Sequence, residues 1–483
     1  MHDTLLLFGA TGDLAQRYLF ASLVGLYCDR RLQDDFRVVA IALSPHDTEA
    51  FRTLLRPRLR QANVQPSEAA VDAFLARVEY RSVDLRDPAA VAAALQDLTT
   101  RRCLSYLAIP PGLYLSTSQG LSEAGLLDAP HRLVLEKPIG HNLASACDID
   151  RHLSAWIDEA RVFRLDHYLG KAPVQNLLAL RFGNTLLEAV WNRHYVASVD
   201  ILVAESEGLD GRDAYYARSG ALRDMVQSHI LQLLCLVAME PPASLQADRI
   251  RDEKVKVLRA LRPLRAHDAA ERSVRGRYTA GVVNGTAVQG YQAPPDSDTE
   301  TFAAVVAYID NTRWAGVPFR LCTGKRLAER STRIVVTLQP VAHWLFERPD
   351  RRHAAPNRLI FRLQPQEDIE LGLMSSLAAP EWGALELRPI ELDLSAQTGH
   401  QRRIAYERLL LDALQGNSAL FVRNDEVEAA WAWTDSVLDA WREAELPVLA
   451  YPAGSWGPAE AAGFLPADYD EAPRPQPAQE TPA

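Results

Sequence analysis

The sequence predicts two folded regions: an N-terminal α/β domain with a doubly wound, Rossmann-like sheet, and a larger C-terminal α+β domain. Three observations predict this. Apolar runs alternate with amphipathic stretches in the first third of the chain, alternating runs joined by turns dominate the remainder, and 483 residues suffice for two or three cores. Hydrophobic residues make up 48% and charged residues 24%, as in ordinary globular proteins.

Five short apolar runs mark the strands of the first region. An amphipathic stretch from about Asp13 to Tyr27 follows the first run, and strands separated by helices are typical of parallel βαβ units. Residues 1–163 are therefore predicted to form the doubly wound domain. The runs are Thr4–Phe8, Arg37–Leu43, Val78–Val83, Leu104–Ile109 and Leu133–Leu135.

Alternating apolar and polar residues mark the strands of the second region, predicted to occupy residues 164–462. Alternation is typical of antiparallel strands with one face on a core, so a mostly antiparallel sheet flanked by helices is expected. Residues 467–483 are rich in Pro, Glu and Ala and are predicted to be a disordered tail. The alternating runs are Ala197–Ala204, Thr301–Ile309, Thr332–Leu338 and Asn357–Leu363.

Charge and cysteine content narrow the class of protein. A formal net charge of −10 argues against general binding of nucleic acid, because phosphate backbones require a basic surface. Five cysteines without a CxxC spacing predict no metal site and a reducing, cytoplasmic compartment. The longest apolar run, Leu233–Met239, is too short to cross a membrane, so no membrane partner is expected.

A glycine turn follows the first predicted strand. Residues 9–12 are Gly-Ala-Thr-Gly, and a helix is predicted to begin near Asp13. Two glycines in G-x-x-G spacing are equally compatible with a plain strand-to-helix turn. Their place between a strand and a helix favours a pyrophosphate site, because glycine allows close approach and the helix start offers N–H groups. The second strand ends at Leu43 with neither the acid typical of NAD binding nor the arginine typical of NADP binding, so this rule selects neither nucleotide.

Two segments contain side chains suited to acid–base chemistry. Residues 164–171 read Arg-Leu-Asp-His-Tyr-Leu-Gly-Lys and combine a carboxylate, an imidazole, a phenol and an ammonium. Taken alone, a segment of this composition is more often a polar surface loop than a binding site. Ser219–Met239 has helical apolar spacing, and His229 falls at the border of its apolar face. That position suits either a core histidine bonded to a backbone carbonyl or a partly buried general base.

Sequence blocks along nearly the whole chain resemble the glucose-6-phosphate dehydrogenase family. They occur in the family's order between about residues 4 and 457. The resemblance implies an NAD(P)-dependent oxidoreductase that oxidises D-glucose 6-phosphate at C1 to 6-phosphoglucono-1,5-lactone, the first step of the pentose phosphate pathway. It also implies a homodimer or homotetramer built through the large sheet of the substrate-binding domain. The blocks are GATGDLA, YLAIPP, EKPIG, RLDHYLGK, VQNLLALRFGN, GALRDMVQSH, IDNTRWAGVPF, TGKRL, YERLLLDALQGN and DEVEAAW.

The resemblance also implies roles for individual residues. His229 matches the general base that takes the C1 hydroxyl proton, and Asp166 matches the carboxylate that orients it and stabilises the imidazolium. The matched substrate-binding residues are Lys137, His167, Tyr168, Lys171, Glu205, Asp224, Lys325, Arg330 and Gln364. The matched nucleotide-binding residues are Gly9, Ala10, Thr11, Gly12, Asp13, Leu14, Tyr106 and Lys137.

Three positions depart from the family's pattern. Tyr18 and Ala172 replace a usual lysine and a usual glutamate, and Leu43 replaces the arginine that ends the second strand. The resemblance implies NADP or NAD as the cofactor. Because the arginine that would bind the 2′-phosphate is missing, we hypothesise that NAD is used at least as well as NADP. Two alternatives remain: a divergent paralogue acting on another sugar phosphate, and a non-catalytic ligand-binding or regulatory subunit. The second is disfavoured because a binding module needs no paired base and carboxylate.

Overall fold

A computed structural model describes residues 1–209, 213–293, 297–343, 356–376, 387–394 and 405–466. The chain divides into two compact units, each assembled from separate stretches of sequence. The first unit comprises residues 1–171, 242–255 and 400–431, and the second comprises residues 172–241, 256–399 and 432–483. The domain boundary near Phe163 stays a prediction, and the predicted tail at 467–483 lies outside the described residues.

The elements are numbered in chain order. The strands are β1 Thr4–Phe8, β2 Arg37–Ala42, β3 Val78–Ser82, β4 Cys103–Leu107, β5 Arg132–Leu135, β6 Val162–Leu165, β7 Val196–Ala204, β8 Ser273–Thr279, β9 Gly281–Val283, β10 Thr286–Val288, β11 Phe302–Ala307, β12 Phe319–Gly324, β13 Ser331–Leu338, β14 Arg358–Gln364, β15 Asp368–Ser376, β16 Leu387–Asp393, β17 Phe421–Val422 and β18 Val448–Pro452. The helices are α1 Phe20–Cys28, α2 Thr48–Arg60, α3 Glu68–Leu75, α4 Pro88–Leu95, α5 Tyr114–Glu123, α6 Leu143–Ser154, α7 Ala172–Gly183, α8 Thr185–Val190, α9 Asp213–Ala221, α10 Leu231–Ala238, α11 Ala247–Arg259, α12 Ala266–Arg272, α13 Ala405–Gln415 and α14 Asn424–Glu443.

The nine strands predicted from apolar runs are confirmed, with ends that differ by at most two residues. The helical pattern of 219–239 is also confirmed, as a π-helical stretch Leu222–Ile230 that continues into α10. A second π-helical stretch, Ala15–Leu19, leads into α1. Among the described residues, no helix has the combined length and apolarity of a membrane span.

The first unit contains a seven-stranded sheet in the order β17-β6-β5-β4-β1-β2-β3. The six strands from β6 to β3 are parallel, and β17 pairs with β6 in the antiparallel direction. All five residues of β1 are buried because helices cover both faces of a doubly wound sheet. The order reverses between β1 and β4, which is where such sheets bind a dinucleotide at the carboxyl ends of the strands.

The second unit contains a nine-stranded sheet in the order β16-β15-β14-β13-β7-β12-β11-β8-β18. Six of the eight neighbouring pairs among these described strands are antiparallel, and β7–β12 and β8–β18 are parallel. In β14, Leu359, Phe361 and Leu363 are buried and alternate with less buried polar or apolar neighbours. The mostly antiparallel sheet predicted for this part of the chain is therefore confirmed.

A buried ion pair lies within the first unit. The Lys254 Nζ atom of α11 is 2.7 Å from a carboxylate oxygen of Glu426 in α14, and the side chains are 1% and 0% exposed. Glu426 also accepts a hydrogen bond from the backbone N–H of Arg423 (3.0 Å), which caps the first turn of α14. Neither charge is accessible to water, so each depends on protein partners.

Replacing Lys254 by methionine is expected to lower the free energy of unfolding by about 3–5 kcal/mol, because it leaves the Glu426 carboxylate buried without its cation. Urea denaturation followed by circular dichroism measures the loss. Adding Glu426→Gln should recover most of it, since the amide oxygen still accepts from Arg423 and no charge remains. Arg262→Ala is the control: it breaks an ion pair to Asp310 whose side chains are 46% and 50% exposed, and should cost under about 1 kcal/mol. Equal losses for Lys254→Met and Arg262→Ala would contradict the assignment.

Candidate active site

The glycine turn of the first unit joins β1 to the helical stretch that begins at Asp13. The Gly9 and Ala10 N–H groups both donate to the Ile41 carbonyl of β2 (2.8 and 3.1 Å), and Gly12 N–H donates to the Gly9 carbonyl (2.9 Å). Gly9 has φ +79°, and a Cβ there would lie 2.2 Å from the Ala108 carbonyl oxygen. This position therefore requires glycine.

The surface of this turn suits an anionic nucleotide. Gly12 and Asp13 are exposed, Thr11 and Leu14 are partly exposed, and Ala10 is buried beneath them. The start of a helix presents backbone N–H groups and the positive end of the helix dipole, which is the usual cradle for a pyrophosphate. Gly12 and Asp13 are exposed at this helix start, so these residues fit a dinucleotide.

The loop after β2 is held by backbone acceptors. Tyr80 donates its hydroxyl to the Ser44 carbonyl (2.7 Å), and the Ser82 hydroxyl donates to the Leu43 carbonyl (3.2 Å). The Leu43 side chain is 61% exposed at the position that usually selects between the ribose hydroxyl and its phosphate. An apolar side chain there supplies no charge for a 2′-phosphate.

The carboxyl ends of β4 and β5 place a buried acid beside Lys137. The Tyr106 hydroxyl donates to Glu136 Oε1 (2.6 Å), and the Tyr114 hydroxyl donates to the Glu136 carbonyl (2.5 Å). Burial raises the pKa of the Glu136 carboxyl to about 7. Lys137 follows directly, and the Trp431 indole donates to the Ile139 carbonyl (2.8 Å) just beyond it. These bonds fix the backbone from which Lys137 extends.

Residues 166–171 form a tight turn after β6, and all of the segment 164–171 except the partly exposed His167 is buried, so the interpretation as a polar surface loop is wrong. Asp166, Tyr168 and Lys171 are only 3%, 4% and 7% exposed. Asp166 accepts from the Tyr168 N–H (2.9 Å), and the Lys171 Nζ atom lies 4.1 Å from the centre of the Tyr168 ring. The His167 ring stacks against Tyr406 of α13, with ring centres 5.8 Å apart and an interplanar angle of 12°.

In the second unit, His229 lies in the π-helical stretch before α10 and is 1% exposed. The start of this stretch is fixed by Glu300, whose carboxylate accepts from the Leu222 N–H (2.8 Å) and whose carbonyl accepts from the Ala221 N–H (3.0 Å). Burial raises the pKa of Glu300. Gly220 has φ +71°, and a Cβ there would lie 2.5 Å from a Glu300 carboxylate oxygen, so the close approach requires glycine.

The end of α10 is also fixed, by side chains that donate to its last backbone carbonyls. The indole N–H groups of Trp191 and Trp314 donate to the carbonyls of Val237 (2.8 Å) and Ala238 (2.7 Å). The buried Arg181 guanidinium donates to the Leu236 and Met239 carbonyls (2.7 and 2.8 Å). These are the carbonyls that a helix end leaves without internal partners, and side chains satisfy them here. His229 is thus carried by a helix anchored at both ends.

Three substrate-binding candidates of the second unit lie together. The Lys325 ammonium, just after β12, contacts the Glu205 carboxylate and lies 3.7 Å from an Asp224 carboxylate oxygen. The Tyr451 hydroxyl donates to the Lys325 carbonyl (2.7 Å), and the same ammonium is 5.7 Å from the centre of the buried Tyr216 ring. Two carboxylates and an ammonium in one place can accept from and donate to the hydroxyls of a sugar.

The remaining two candidates lie on neighbouring parts of this unit. Arg330 precedes β13, is about half exposed and lies 3.7 Å from Glu207. Gln364 ends β14, and its side-chain oxygen accepts from the Thr332 hydroxyl (3.3 Å). Their role as substrate contacts stays a prediction.

Four residues of these sites were not predicted from the sequence. Glu136 and Tyr406 lie inside two of the family-like blocks, EKPIG and YERLLLDALQGN, and that was the signal available for them. Glu300 and Tyr216 had no such signal, because their importance comes from contacts between elements that are distant in sequence.

The Rossmann-type unit with its glycine turn, and the second unit with a buried imidazole and a cluster of carboxylates and ammonium, define a nicotinamide-nucleotide-dependent oxidoreductase of polar substrates. The family models agree. The NAD binding domain of glucose-6-phosphate dehydrogenase matches residues 6–176, and the C-terminal domain of the same enzyme matches residues 178–471. The chain belongs to the glucose-6-phosphate dehydrogenase family.

Individual relatives support this. The chain is 45% identical to the glucose-6-phosphate 1-dehydrogenase of Zymomonas mobilis over 469 residues, covering 95% of this chain and 96% of the relative. It is 42% identical to that of Rhizobium meliloti, covering 95% of each. A solved glucose-6-phosphate dehydrogenase in complex with its substrate glucose-6-phosphate superposes with a TM-score of 0.86 at 33% identity, covering 97% of this chain and 98% of that one.

Gly9→Ala tests the nucleotide turn. The added methyl group meets the Ala108 carbonyl and forces a strained backbone, at a cost of about 1–3 kcal/mol, so binding of NAD(P) should weaken about tenfold or more. Titration calorimetry measures the Kd. Gly183→Ala is the control, since a Cβ at Gly183 would meet nothing within 4 Å. An unchanged Kd for Gly9→Ala would show that the nucleotide does not use this turn.

Proposed function

We propose that this protein oxidises D-glucose 6-phosphate at C1 to 6-phosphoglucono-1,5-lactone with hydride transfer to NAD(P), the first step of the pentose phosphate pathway. The observation that carries the proposal is that an anchored, buried His229 shares a unit with the Glu205, Asp224 and Lys325 cluster in a chain matched almost end to end by this family. No specific observation favours the paralogue or the non-catalytic subunit.

His229 is proposed to accept the proton of the C1 hydroxyl. Loss of that proton allows the C1 hydrogen to leave as hydride, and a nicotinamide nucleotide held at the glycine turn of residues 9–12 would supply the acceptor for it. Asp166 is proposed to pair with the imidazole, where a carboxylate fixes the tautomer and stabilises the imidazolium. Two observations support these roles: the helical stretch that carries His229 is fixed at both ends, and Asp166 is itself oriented by the Tyr168 N–H.

The substrate is proposed to bind in two parts. His167, Tyr168 and Lys171 bind the phosphate, which is supported by the 4.1 Å approach of the Lys171 ammonium to the Tyr168 ring and the fixed plane of the imidazole. The sugar hydroxyls bind the cluster of the second unit, and Lys137 lies between substrate and nucleotide. Arg330 and Gln364 are proposed as further substrate contacts.

The assembly and compartment complete the proposal. A homodimer or homotetramer built through the large sheet is supported by β16, which ends the described sheet and exposes Ile390 and Leu392. A cytoplasmic location is supported by the five cysteines of the sequence, which are scattered without a CxxC spacing.

The reaction is tested by following the absorbance of reduced nicotinamide with glucose 6-phosphate and with its C1-deuterated form. Oxidation at C1 predicts turnover with a deuterium isotope effect and transfer of the label to the nicotinamide ring. His229→Asn should lower kcat by orders of magnitude while changing the Kd for the sugar phosphate only modestly, because the amide keeps the shape of the site and loses the base. His194→Asn, at an exposed position, is the control. Nearly full turnover by His229→Asn would show that another group is the base.

Nucleotide preference is tested by initial rates with NAD and NADP. We expect NAD to be used at least as well as NADP, because the exposed Leu43 gives no cation for the 2′-phosphate. Leu43→Arg should raise kcat/KM with NADP by about tenfold or more, the effect of one hydrogen bond to a charged group, and leave NAD nearly unchanged. Leu54→Arg, at another exposed leucine, controls for added charge. A strong preference of the unmodified protein for NADP would refute the hypothesis.

A further inference from the structure

The turn that follows β12 carries Lys325 on a strained backbone. Arg326, the next residue, has φ +51°, a left-handed conformation that is costly for a residue with a Cβ atom. Such strain persists only where the surrounding structure holds it. The three N–H groups of residues 325–327 all donate to the main chain, and their acceptors are, in order, the carbonyls of Thr301 (2.9 Å), Glu207 (3.2 Å) and Glu205 (2.9 Å).

The carbonyls of this turn are held by β18 and the turn after it. The Tyr451 hydroxyl donates to the Lys325 carbonyl (2.7 Å), and the Gly454 N–H donates to the Arg326 carbonyl (2.8 Å). Gly454 has φ +89°, and a Cβ there would lie 1.9 Å from the Val282 carbonyl oxygen, so this position requires glycine. Two consecutive carbonyls of the strained turn thus each accept a bond from the same distant segment.

The Tyr451 side chain is itself fixed in the core of the second unit. It is 0% exposed, and its ring packs edge-on against Tyr278 and Phe302, with ring centres 6.4 and 5.8 Å apart. Its hydroxyl oxygen also lies 3.0 Å from the Thr301 hydroxyl, which accepts from the Tyr278 N–H (3.0 Å). Because the Thr301 carbonyl accepts from the Lys325 N–H, one buried phenol links both sides of the Lys325 backbone to the start of β11.

The turn positions one end of the Lys325 side chain, and carboxylates position the other. The ammonium contacts the Glu205 carboxylate and lies 3.7 Å from an Asp224 carboxylate oxygen. The Glu205 N–H donates to the Gly324 carbonyl (3.0 Å), so the backbone of Glu205 is bonded to the same turn. A lysine has a flexible four-carbon stem, so the place of its ammonium depends on the backbone as well as on its partners.

We propose that Tyr451 is a positioning residue for recognition of the sugar: its hydroxyl holds the strained turn, and the turn holds Lys325 beside Glu205. The proposal rests on the proposed function, since it takes Lys325 to bind the hydroxyls of glucose 6-phosphate. Tyr451 touches neither the sugar nor the reacting carbon in this scheme, because its hydroxyl bonds to the main chain. Its effect is on how tightly the sugar binds, and not on the phosphate contacts or the chemical step.

Tyr451→Phe tests this role, because it removes one oxygen atom and keeps both ring contacts. The KM for glucose 6-phosphate should rise about tenfold, since a misplacement of about 1 Å costs that much or more, while kcat changes little. Inorganic phosphate, used as a competitive inhibitor, should keep its inhibition constant, because its proposed site is formed by His167 and Lys171 in the first unit. The Kd for the nucleotide, measured by titration calorimetry, should also stay unchanged.

Lys325→Met tests whether Tyr451 acts through this lysine. In a protein that already lacks the ammonium, Tyr451→Phe should raise the KM by less than about twofold, because changes that break the same link are not additive. Ser273→Ala is the matched control: Ser273 is 1% exposed, and its hydroxyl donates to the Ala269 carbonyl (2.6 Å). It should leave the KM unchanged, whatever it costs in the free energy of unfolding.

An unchanged KM in Tyr451→Phe, an equal rise in the inhibition constant of phosphate, or additive losses in the double variant would overturn the positioning role. An unmodified protein that fails to oxidise glucose 6-phosphate would instead overturn the proposed function. Should Tyr451→Phe fail to fold, hydrogen exchange of the unmodified protein decides the question. Peptides covering residues 325–327 should exchange as slowly as those of β12, and fast exchange would show that the turn is not held.

Discussion

The second unit depends on keeping one helix in a single register. The π-helical stretch that continues into α10 carries Asp224 and His229, and a slip of one residue would turn both side chains to a different side of the helix. Glu300 fixes the start of this helix through backbone N–H groups, and Arg181, Trp191 and Trp314 fix its end through backbone carbonyls. None of the four anchors is one of the residues assigned to the substrate. They make the site precise because they leave the helix no alternative position.

In the first unit, the geometry of the parallel sheet positions the candidate residues. The glycine turn follows β1, Tyr106 lies in β4, Lys137 follows β5 and Asp166 follows β6. Because the carboxyl ends of parallel strands meet at one edge, residues more than a hundred positions apart in sequence come to that edge together. The buried acid Glu136, directly after β5, adds a cross-link to β4 because its carboxylate accepts from the Tyr106 hydroxyl.

Much of this architecture could be predicted from the sequence. Apolar periodicity gave the positions of nine strands, and the glycine turn gave the joint between β1 and its helix. Family-like blocks supplied the candidate residues, three of which, Glu205, Asp224 and Lys325, lie in one cluster.

What could not be predicted depends on contacts between distant stretches. Local periodicity gives no sign that residues 242–255 and 400–431 belong to the first unit. It also gives no sign that the Glu300 carboxylate accepts from the Leu222 N–H. The burial of the segment 164–171 also contradicted its polar composition, because tertiary partners supplied what water would otherwise provide.

The aromatic ring of Tyr18 has a consequence for how the protein meets its substrate. It is 42% exposed and stacks on Tyr406, at the position where the family resemblance implies a lysine. A phosphate dianion approaching an acidic protein is guided by local cations, and long-range guidance of this kind is screened by salt. With one fewer cation near Tyr406, capture of the substrate relies more on short-range contact, and its association rate varies less steeply with ionic strength than in a relative that keeps the lysine.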